Sequence, residues 1–216
     1  MSHSRSLTEI PVPGKQLCGL TWKNELLWFS DGELDEIMGV NPQTGEIVRH
    51  IECPEVRTGL TTVDGNLLQV VGANRTLRQI DIATGQITRE FPNPRAGLEL
   101  CGIETTAAGI WFGYQDPPML DLRDPHRFEL IDSIPVAEQV AGVTVTDKYV
   151  AFSCYATAHV HLIDSRMRKE AVATLEVSGN PTGLTWDGRL LWYCDYTNLL
   201  LRAVEVPIDS ALKLRS

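Results

Sequence analysis

The sequence has 216 residues, of which 43% are hydrophobic, and this size suits one larger all-β domain. Its formal net charge is −9, and no segment gathers enough Lys and Arg to neutralise a row of phosphates, so we do not expect a nucleic-acid partner. No stretch of about 18 apolar residues is present, and the first residues lack the apolar part of a secretory signal, which predicts a cytoplasmic protein without a membrane partner.

The cysteines are too scattered for a disulfide scaffold. They number five and include no Cys-x-x-Cys pair: Cys18, Cys53, Cys101, Cys154 and Cys194. An odd and widely spaced set predicts free thiols in a reducing compartment.

A glycine followed by an aliphatic residue recurs along the whole chain. The glycines are Gly19, Gly59, Gly102, Gly142 and Gly183, separated by 40, 43, 40 and 41 residues. A period of this length suits four short strands with their turns, which is one blade of a β-propeller.

Each repeat predicts four strands in the same order. The first contains the glycine, and the second is a nearly continuous apolar run, as at residues 26–29 and 190–193, which indicates burial on both faces. The third ends in an aliphatic residue followed by an acidic or amide residue, as in Ile80-Asp81. The fourth mostly stops at proline, which lacks a donor for the next strand and therefore indicates an outer edge.

The last repeat lacks a fourth strand, whereas residues 7–11 precede the first repeat and resemble the other fourth strands. We therefore predict an all-β fold, a five-bladed β-propeller with four-stranded antiparallel blades, closed by the N-terminal strand that completes the last blade. One domain covers residues 1–216, with blades at about 14–54, 55–94, 95–137, 138–178 and 179–208 plus 6–12. The alternative, an open β-sandwich, does not explain the complementary ends.

Two stretches resemble the plant and bacterial glutaminyl cyclases, also called glutamine cyclotransferases. The first is residues 59–71 (Gly-Leu-Thr-Thr-Val-Asp-Gly-Asn-Leu-Leu-Gln-Val-Val). The second begins with residues 18–22 (Cys-Gly-Leu-Thr-Trp) and ends with residues 41–46 (Asn-Pro-Gln-Thr-Gly-Glu). This resemblance implies a five-bladed propeller and a cyclotransferase-like activity. Two positions differ from the family pattern, since Thr58 stands where the family has an acidic residue and Gly72 where it has a tryptophan.

Two further resemblances are more distant. The Leu-Trp-Phe strands and the outer strands that end in Ile-Pro are similar to virginiamycin B lyases, larger propellers that use a histidine and a bound magnesium ion. No histidine precedes a repeat glycine in this chain. Gluconolactonase-like propellers hold a divalent metal with carboxylates and asparagine, a set to which Glu104 and Asn180 are loosely similar. The cofactor is therefore left open between none and a divalent metal, and we assign no metal ligands.

One face of the predicted propeller gathers polar and aromatic side chains around its axis, where a small-molecule ligand is expected to bind. It is formed by the loops that lead into the first strands and the loops that join second to third strands. The first set supplies Gln16, Cys18, Arg57, Thr58, Glu99, Cys101, Gln139 and Asn180, and the second supplies Asp31, Asn74, Arg75, Tyr114, Gln115, Tyr155, His159, Asp195 and Tyr196. Within this set we predict substrate contacts from Gln16, Arg57, Arg75, Tyr114, Gln139, Tyr155, Asn180 and Tyr196.

Glu104 interrupts a series of threonines at one first-strand position. The other repeats have Thr21, Thr61, Thr144 and Thr185 there. A lone carboxylate at that position is expected to face the channel, where partial desolvation would raise its pKa and suit it to acid/base chemistry with Glu99 as a partner. The alternative is a hydrated channel residue paired with Arg57.

Two histidines, His159 and His161, lie at i and i+2 of a predicted third strand and therefore point to the same side of the sheet. His159 is the candidate for a proton shuttle or a metal ligand because it lies nearer the predicted face. His161 occupies a position held elsewhere by Met38, Arg78 and Arg202, so we expect it to pack within the blade.

Two functions remain open at this point. The first is a cyclotransferase-like or lyase-like enzyme that acts on a small polar substrate, with Glu104 or Glu99 as the acid/base and with help from His159 and Asp195. The second is a non-catalytic propeller that binds a metabolite or a protein. The sequence does not decide the oligomeric state.

Overall fold

The computed structural model describes residues 2–3, 6–166 and 171–206, and this part of the chain consists of β-strands joined by turns. In chain order the strands are β1 (Ser2–His3), β2 (Thr8–Pro11), β3 (Leu17–Lys23), β4 (Leu26–Asp31), β5 (Glu36–Val40), β6 (Ile47–Glu52), β7 (Val56–Val63), β8 (Asn66–Val71), β9 (Thr76–Ile80), β10 (Ile87–Phe91), β11 (Leu100–Thr106), β12 (Gly109–Tyr114), β13 (Met119–Arg123), β14 (Leu130–Pro135), β15 (Gly142–Val145), β16 (Tyr149–Cys154), β17 (His159–Asp164), β18 (Ala171–Glu176), β19 (Pro181–Trp186), β20 (Leu191–Asp195) and β21 (Leu200–Val204). Among these residues no helix has the length and apolarity that crossing a membrane requires.

Five sheets are arranged as the blades of a propeller. Blade one is β3 to β6, blade two β7 to β10, blade three β11 to β14, and blade four β15 to β18. Blade five combines β19, β20 and β21 with β2 from the start of the chain. The strands of each blade pair antiparallel, so the predicted five-bladed propeller is confirmed. One detail was not predicted, since β1 adds a short parallel strand to the outer edge of blade four, where Ser2 pairs with Leu175.

The N-terminal strand completes the last blade, as predicted. Strand β2 pairs antiparallel with β21 from Thr8 opposite Ala203 to Pro11 opposite Leu200. Backbone hydrogen bonds continue the pairing on both sides, because the amide of Leu7 donates to Ala203 at 2.9 Å and that of Val12 donates to Leu199 at 3.2 Å. This pairing removes the open edge that β21 would otherwise present.

The hydrophobic core lies between the blades and is divided into clusters, each shared by two neighbouring blades. The cluster between blades one and two, for example, packs Trp28 and Ile37 against Leu60 and Leu67. The second strands contribute to the cluster on each of their two faces, which explains their nearly continuous apolar sequences.

The repeated glycines occur where neighbouring first strands touch at the axis. A Cβ atom placed on Gly142 would lie 2.1 Å from the carbonyl oxygen of Thr182 in the next blade. On Gly19 it would lie 2.4 Å from the amide nitrogen of Leu60, and on Gly183 it would lie 2.5 Å from that of Leu20. Only glycine permits backbones to approach so closely, and the period of the sequence follows from this contact.

Candidate functional site

A pocket of about 260 Å³ opens on the axis at the end where the first strands begin. It is lined by Gln16, Leu17, Cys18, Arg57, Thr58, Cys101, Gln115, Val140, Ala141, Tyr155, Thr182 and Tyr196. Every blade contributes to this lining, so the convergence of the five repeats creates the pocket. Of the residues predicted to contact a substrate, it includes Gln16, Arg57, Tyr155 and Tyr196.

The floor of the pocket is a ring of residues that directly precede the five glycines. They are Cys18, Thr58, Cys101, Ala141 and Thr182. Two of their hydroxyls hold neighbouring blades together, because Thr58 donates to the carbonyl of Leu100 at 2.8 Å and Thr182 donates to that of Leu17 at 3.0 Å. The floor is therefore a fixed part of the fold.

The wall of the pocket is taller over three blades than over the other two. One turn position after the second strand is occupied by Gly32, Gly72, Gln115, Tyr155 and Tyr196 in blades one to five. The three larger side chains line the pocket, and the rings of Tyr155 and Tyr196 meet edge to face with centroids 5.5 Å apart. The two glycines add no side chain to the wall, and beside Gly32 the side chain of Gln16 occupies this space.

Two arginines give this end of the axis a positive charge within an acidic protein. Arg57 is exposed and lines the pocket, and Arg75 is buried beside it with its Nη2 3.5 Å from a carboxylate oxygen of Glu99. The Nη1 atom of Arg75 is buried without a hydrogen-bond partner in the described residues. Arg75 does not line the pocket, so Arg57 is the arginine of this pair that a ligand in the pocket can contact.

The two thiols in the floor are held in the neutral form. Burial raises the pKa of Cys18 to about 12, and the backbone hydrogen bond to Gly32 and the charges of Arg57 and Arg75 offset only part of this effect. Burial likewise raises the pKa of Cys101 to about 11. Since the thiolate is the nucleophilic form, neither cysteine is prepared to attack a substrate at neutral pH.

Glu104 lies two residues beyond its repeat glycine, past the floor of the pocket, and it does not line the pocket. Its two carboxylate oxygens accept hydrogen bonds from the hydroxyls of Thr61 at 3.3 Å and Thr144 at 2.8 Å. Burial raises its pKa to about 8, against the opposing effect of these two hydrogen bonds. The predicted pairing with Arg57 is not formed, because neighbouring threonines satisfy the carboxylate.

Two predicted site residues, Tyr114 and Asp195, point away from the pocket, and their placement on its rim is wrong. Each is the last residue of a second strand and is fully buried within the blade. Tyr114 packs in the core between blades two and three, and burial raises the pKa of its hydroxyl. Asp195 accepts a hydrogen bond from Arg202 at 2.7 Å, and in the following turn it accepts from both the backbone amide of Asn198 at 3.2 Å and the side-chain amide of Asn198 at 2.8 Å. Both side chains therefore stabilise the loops that carry the pocket.

Gln139 and Asn180 stand behind the wall of the pocket and support it. The amide of Gln115 donates to Gln139 at 3.4 Å. Asn180 donates to the backbone carbonyl of Tyr155 at 2.9 Å and accepts a hydrogen bond from Thr197. Gln115, which we placed on this face, lines the pocket. Thr182 was not predicted, although its position directly before a repeat glycine is equivalent to that of Cys18 and Thr58 and was a signal for it.

His159 lies away from the axial pocket, in a cluster at the join between blades three and four. Its Nδ1 is 3.7 Å from one carboxylate oxygen of Glu138, and the Nε2 of His161 is 3.3 Å from the other. Sequence reasoning did not single out Glu138, which belongs to the connection between β14 and β15. A signal was available in the pair of histidines found in one blade only.

No family model matches the chain, and no curated protein matches it. Among solved structures, the chain is similar to the glutaminyl cyclase of Myxococcus xanthus, with a TM-score of 0.76. The match covers 94% of this chain and 95% of that one at 15% sequence identity. The resemblance stated from the sequence is thus confirmed at the level of the fold.

Proposed function

We propose that the chain is a small-molecule enzyme of the cyclotransferase or lyase kind, which binds a substrate with an anionic group in the axial pocket. The observation that carries this proposal is that Arg57 lines the pocket together with Tyr155 and Tyr196, above a floor to which all five blades contribute. A pocket of about 260 Å³ suits a ligand of roughly amino-acid size.

The binding roles follow from position and charge. Arg57 is the exposed cation in the lining and would pair with the anionic group of the substrate. The tyrosine rings would cover the apolar part of the substrate. The side-chain amides of Gln16 and Gln115 would exchange hydrogen bonds with the neutral polar groups of the substrate.

Glu99 is the best-placed acid/base among the four residues proposed from the sequence. It lies beside the floor, where its backbone carbonyl accepts from the thiol of Cys101 at 3.7 Å, and its carboxylate is held by Arg75. Glu104 is occupied by two threonine hydroxyls beyond the floor, and His159 belongs to a separate cluster. A carboxylate oriented by an arginine can accept a proton from a substrate bound against Arg57.

The activity is tested by assaying cyclisation of N-terminal glutamine, β-elimination and lactone hydrolysis, each with and without divalent ions. We expect turnover in one of the three, with a loss of at least about 100-fold in kcat for Glu99→Gln, since general acid/base groups contribute about that much or more. Arg57→Gln should raise KM. The control is Arg189→Gln, an exposed residue in the turn between β19 and β20 at the opposite end of blade five.

A non-catalytic binding propeller is the second candidate, and one observation favours it. Among the described residues, those that line the pocket include no carboxylate and no histidine, and the pKa values of the two thiols there are raised to about 12 and about 11. Saturable ligand binding that depends on Arg57, combined with no turnover in the three assays, would support this candidate and contradict the enzyme.

A further inference from the structure

A cluster of nitrogen and oxygen donors lies outside the axial pocket, at the join between blades three and four. Glu138, His159 and His161 each offer one donor atom, and these atoms all lie within 4.8 Å of one another. The two histidines are on the same face of β17, whereas Glu138 comes from the connection between the blades. We propose that these three residues form a binding site for a transition-metal ion of the zinc class, independent of the function proposed for the axial pocket.

The distances in the cluster suit shared coordination better than direct hydrogen bonding. Two ligand atoms that each lie about 2.1 Å from a tetrahedrally coordinated metal ion are about 3.4 Å from each other. The Nε2 of His161 is 3.3 Å from one carboxylate oxygen of Glu138, and the Nδ1 of His159 is 3.7 Å from the other. Hydrogen bonds between nitrogen and oxygen are usually shorter, at about 2.7–3.2 Å.

The same two ring nitrogens are buried and make no hydrogen bond within the described residues. The side chain of His161 is only 10% exposed and that of His159 only 17%. Buried polar atoms normally have a partner, so two orphaned nitrogens aimed at one carboxylate indicate a missing shared partner. A cation that accepts all three lone pairs satisfies them together.

Neighbouring side chains hold the donors in the orientation that a metal requires. The Nδ1 of His161 is 3.0 Å from the hydroxyl of Thr174, which leaves Nε2 directed at the cluster, and the ring stacks on Phe152 at 4.7 Å between centroids. Thr157 donates to Glu138 at 2.6 Å. Outer partners of this kind are typical of metal sites, because they fix the ring orientation and the direction of the carboxylate.

The donor set and the space beside it define the class of ion. Two imidazole nitrogens and one carboxylate are typical of zinc, whereas magnesium and calcium prefer oxygen ligands throughout. A cavity of about 340 Å³ is lined by Glu138 and His161 together with Phe152, and it leaves room for water as a fourth ligand. A bound ion would join the connection after β14 to blade four.

The test measures Zn²⁺ binding to the full chain, purified without a histidine tag and stripped with a chelator, by isothermal titration and by thermal unfolding. We expect one equivalent of Zn²⁺ and a rise in Tm, because an ion that binds only the folded chain stabilises it. Glu138→Gln and His159→Gln should each weaken binding at least tenfold. Cobalt substitution should give the visible absorption of a four-coordinate site, a readout that does not depend on catalysis.

His50→Gln is the matched control. His50 also lies 3.3 Å from a glutamate, Glu36, but this pair is on the outer part of blade one and is not one of the three grouped donors. The His50→Gln variant should bind Zn²⁺ with the same affinity as the unaltered chain. The proposal is overturned if the unaltered chain takes up no Zn²⁺, if both cluster variants bind it with unchanged affinity, or if Mg²⁺ binds equally well at the same concentration.

Discussion

The hydroxyl of Thr144 donates a 2.8 Å hydrogen bond to a carboxylate oxygen of Glu104, across the join between blades three and four. On the other side, Thr61 of blade two donates to the second oxygen at 3.3 Å. Thr61 in turn accepts a hydrogen bond from the backbone amide of Thr105 at 3.0 Å. Glu104 thus connects three blades at the level just beyond the glycine ring.

The buried carboxyl of Glu104 should make the stability of the protein depend on pH. Its pKa is about 8 in the folded chain against an ordinary value of 4.5. Between these two values the folded chain keeps a proton that the unfolded chain has released, so the free energy of unfolding should fall as the pH rises from about 4.5 to about 8. The total loss should be on the order of a few kcal/mol.

Glu104→Gln removes this ionisable group and keeps its shape. Urea unfolding at several pH values between 4.5 and 8.5 should show a flatter dependence for the variant, which becomes the more stable protein at the alkaline end. Glu46→Gln, an exposed position on blade one, serves as the control. Parallel curves for Glu104→Gln and the unaltered chain would contradict the assignment.

Contact between first strands at the axis predicts that the repeat glycines cannot be replaced. Gly142→Ala would place a Cβ 2.1 Å from the backbone of Thr182, and because backbone cannot move aside we expect a loss of about 3 kcal/mol or more in the free energy of unfolding. Gly188→Ala is the comparison. It has open space around it and only a positive φ of 95°, so it should cost about 1 kcal/mol. Denaturant unfolding measures both, and equal effects would contradict the close packing.

The contribution of the N-terminal strand to stability can be measured at two positions, one buried within the strand and one exposed directly before it. Ile10 is 4% exposed and packs in the core between blades five and one, whereas Leu7 is 53% exposed. Ile10→Ala should lower the free energy of unfolding by about 2–4 kcal/mol through the cavity that it leaves. Leu7→Ala should change it by less than about 0.5 kcal/mol. Similar small effects at both positions in denaturant unfolding would mean that the strand does not close the ring in solution.

The fold could be predicted from the sequence because one backbone contact, repeated at each glycine, forces a period that is visible without coordinates. The floor of the pocket has the same origin, since Cys18 and Thr182 occupy equivalent positions before their glycines. Side-chain direction at the ends of the second strands was harder to predict. We placed both Tyr114 and Gln115 on the binding face, but successive residues of a strand point to opposite sides, so only Gln115 lines the pocket and Tyr114 is buried within the blade.

Only part of the donor cluster at blades three and four could be predicted. The two histidines of β17 were visible in the sequence, but Glu138 belongs to the connection between β14 and β15, and no sequence pattern links it to His161. Their distance of 3.3 Å arises from the path of the connection across the blade, which composition and periodicity do not encode.

The central claim is that the axial pocket binds a small anionic ligand. Isothermal titration with a panel of small carboxylates, including glutamine and 5-oxoproline, tests this claim most directly. We expect one equivalent of at least one compound to bind the unaltered chain and Arg189→Gln equally, and to bind Arg57→Gln at least tenfold more weakly, about 1.4 kcal/mol. The claim is contradicted if no compound in the panel binds, or if Arg57→Gln binds as tightly as Arg189→Gln.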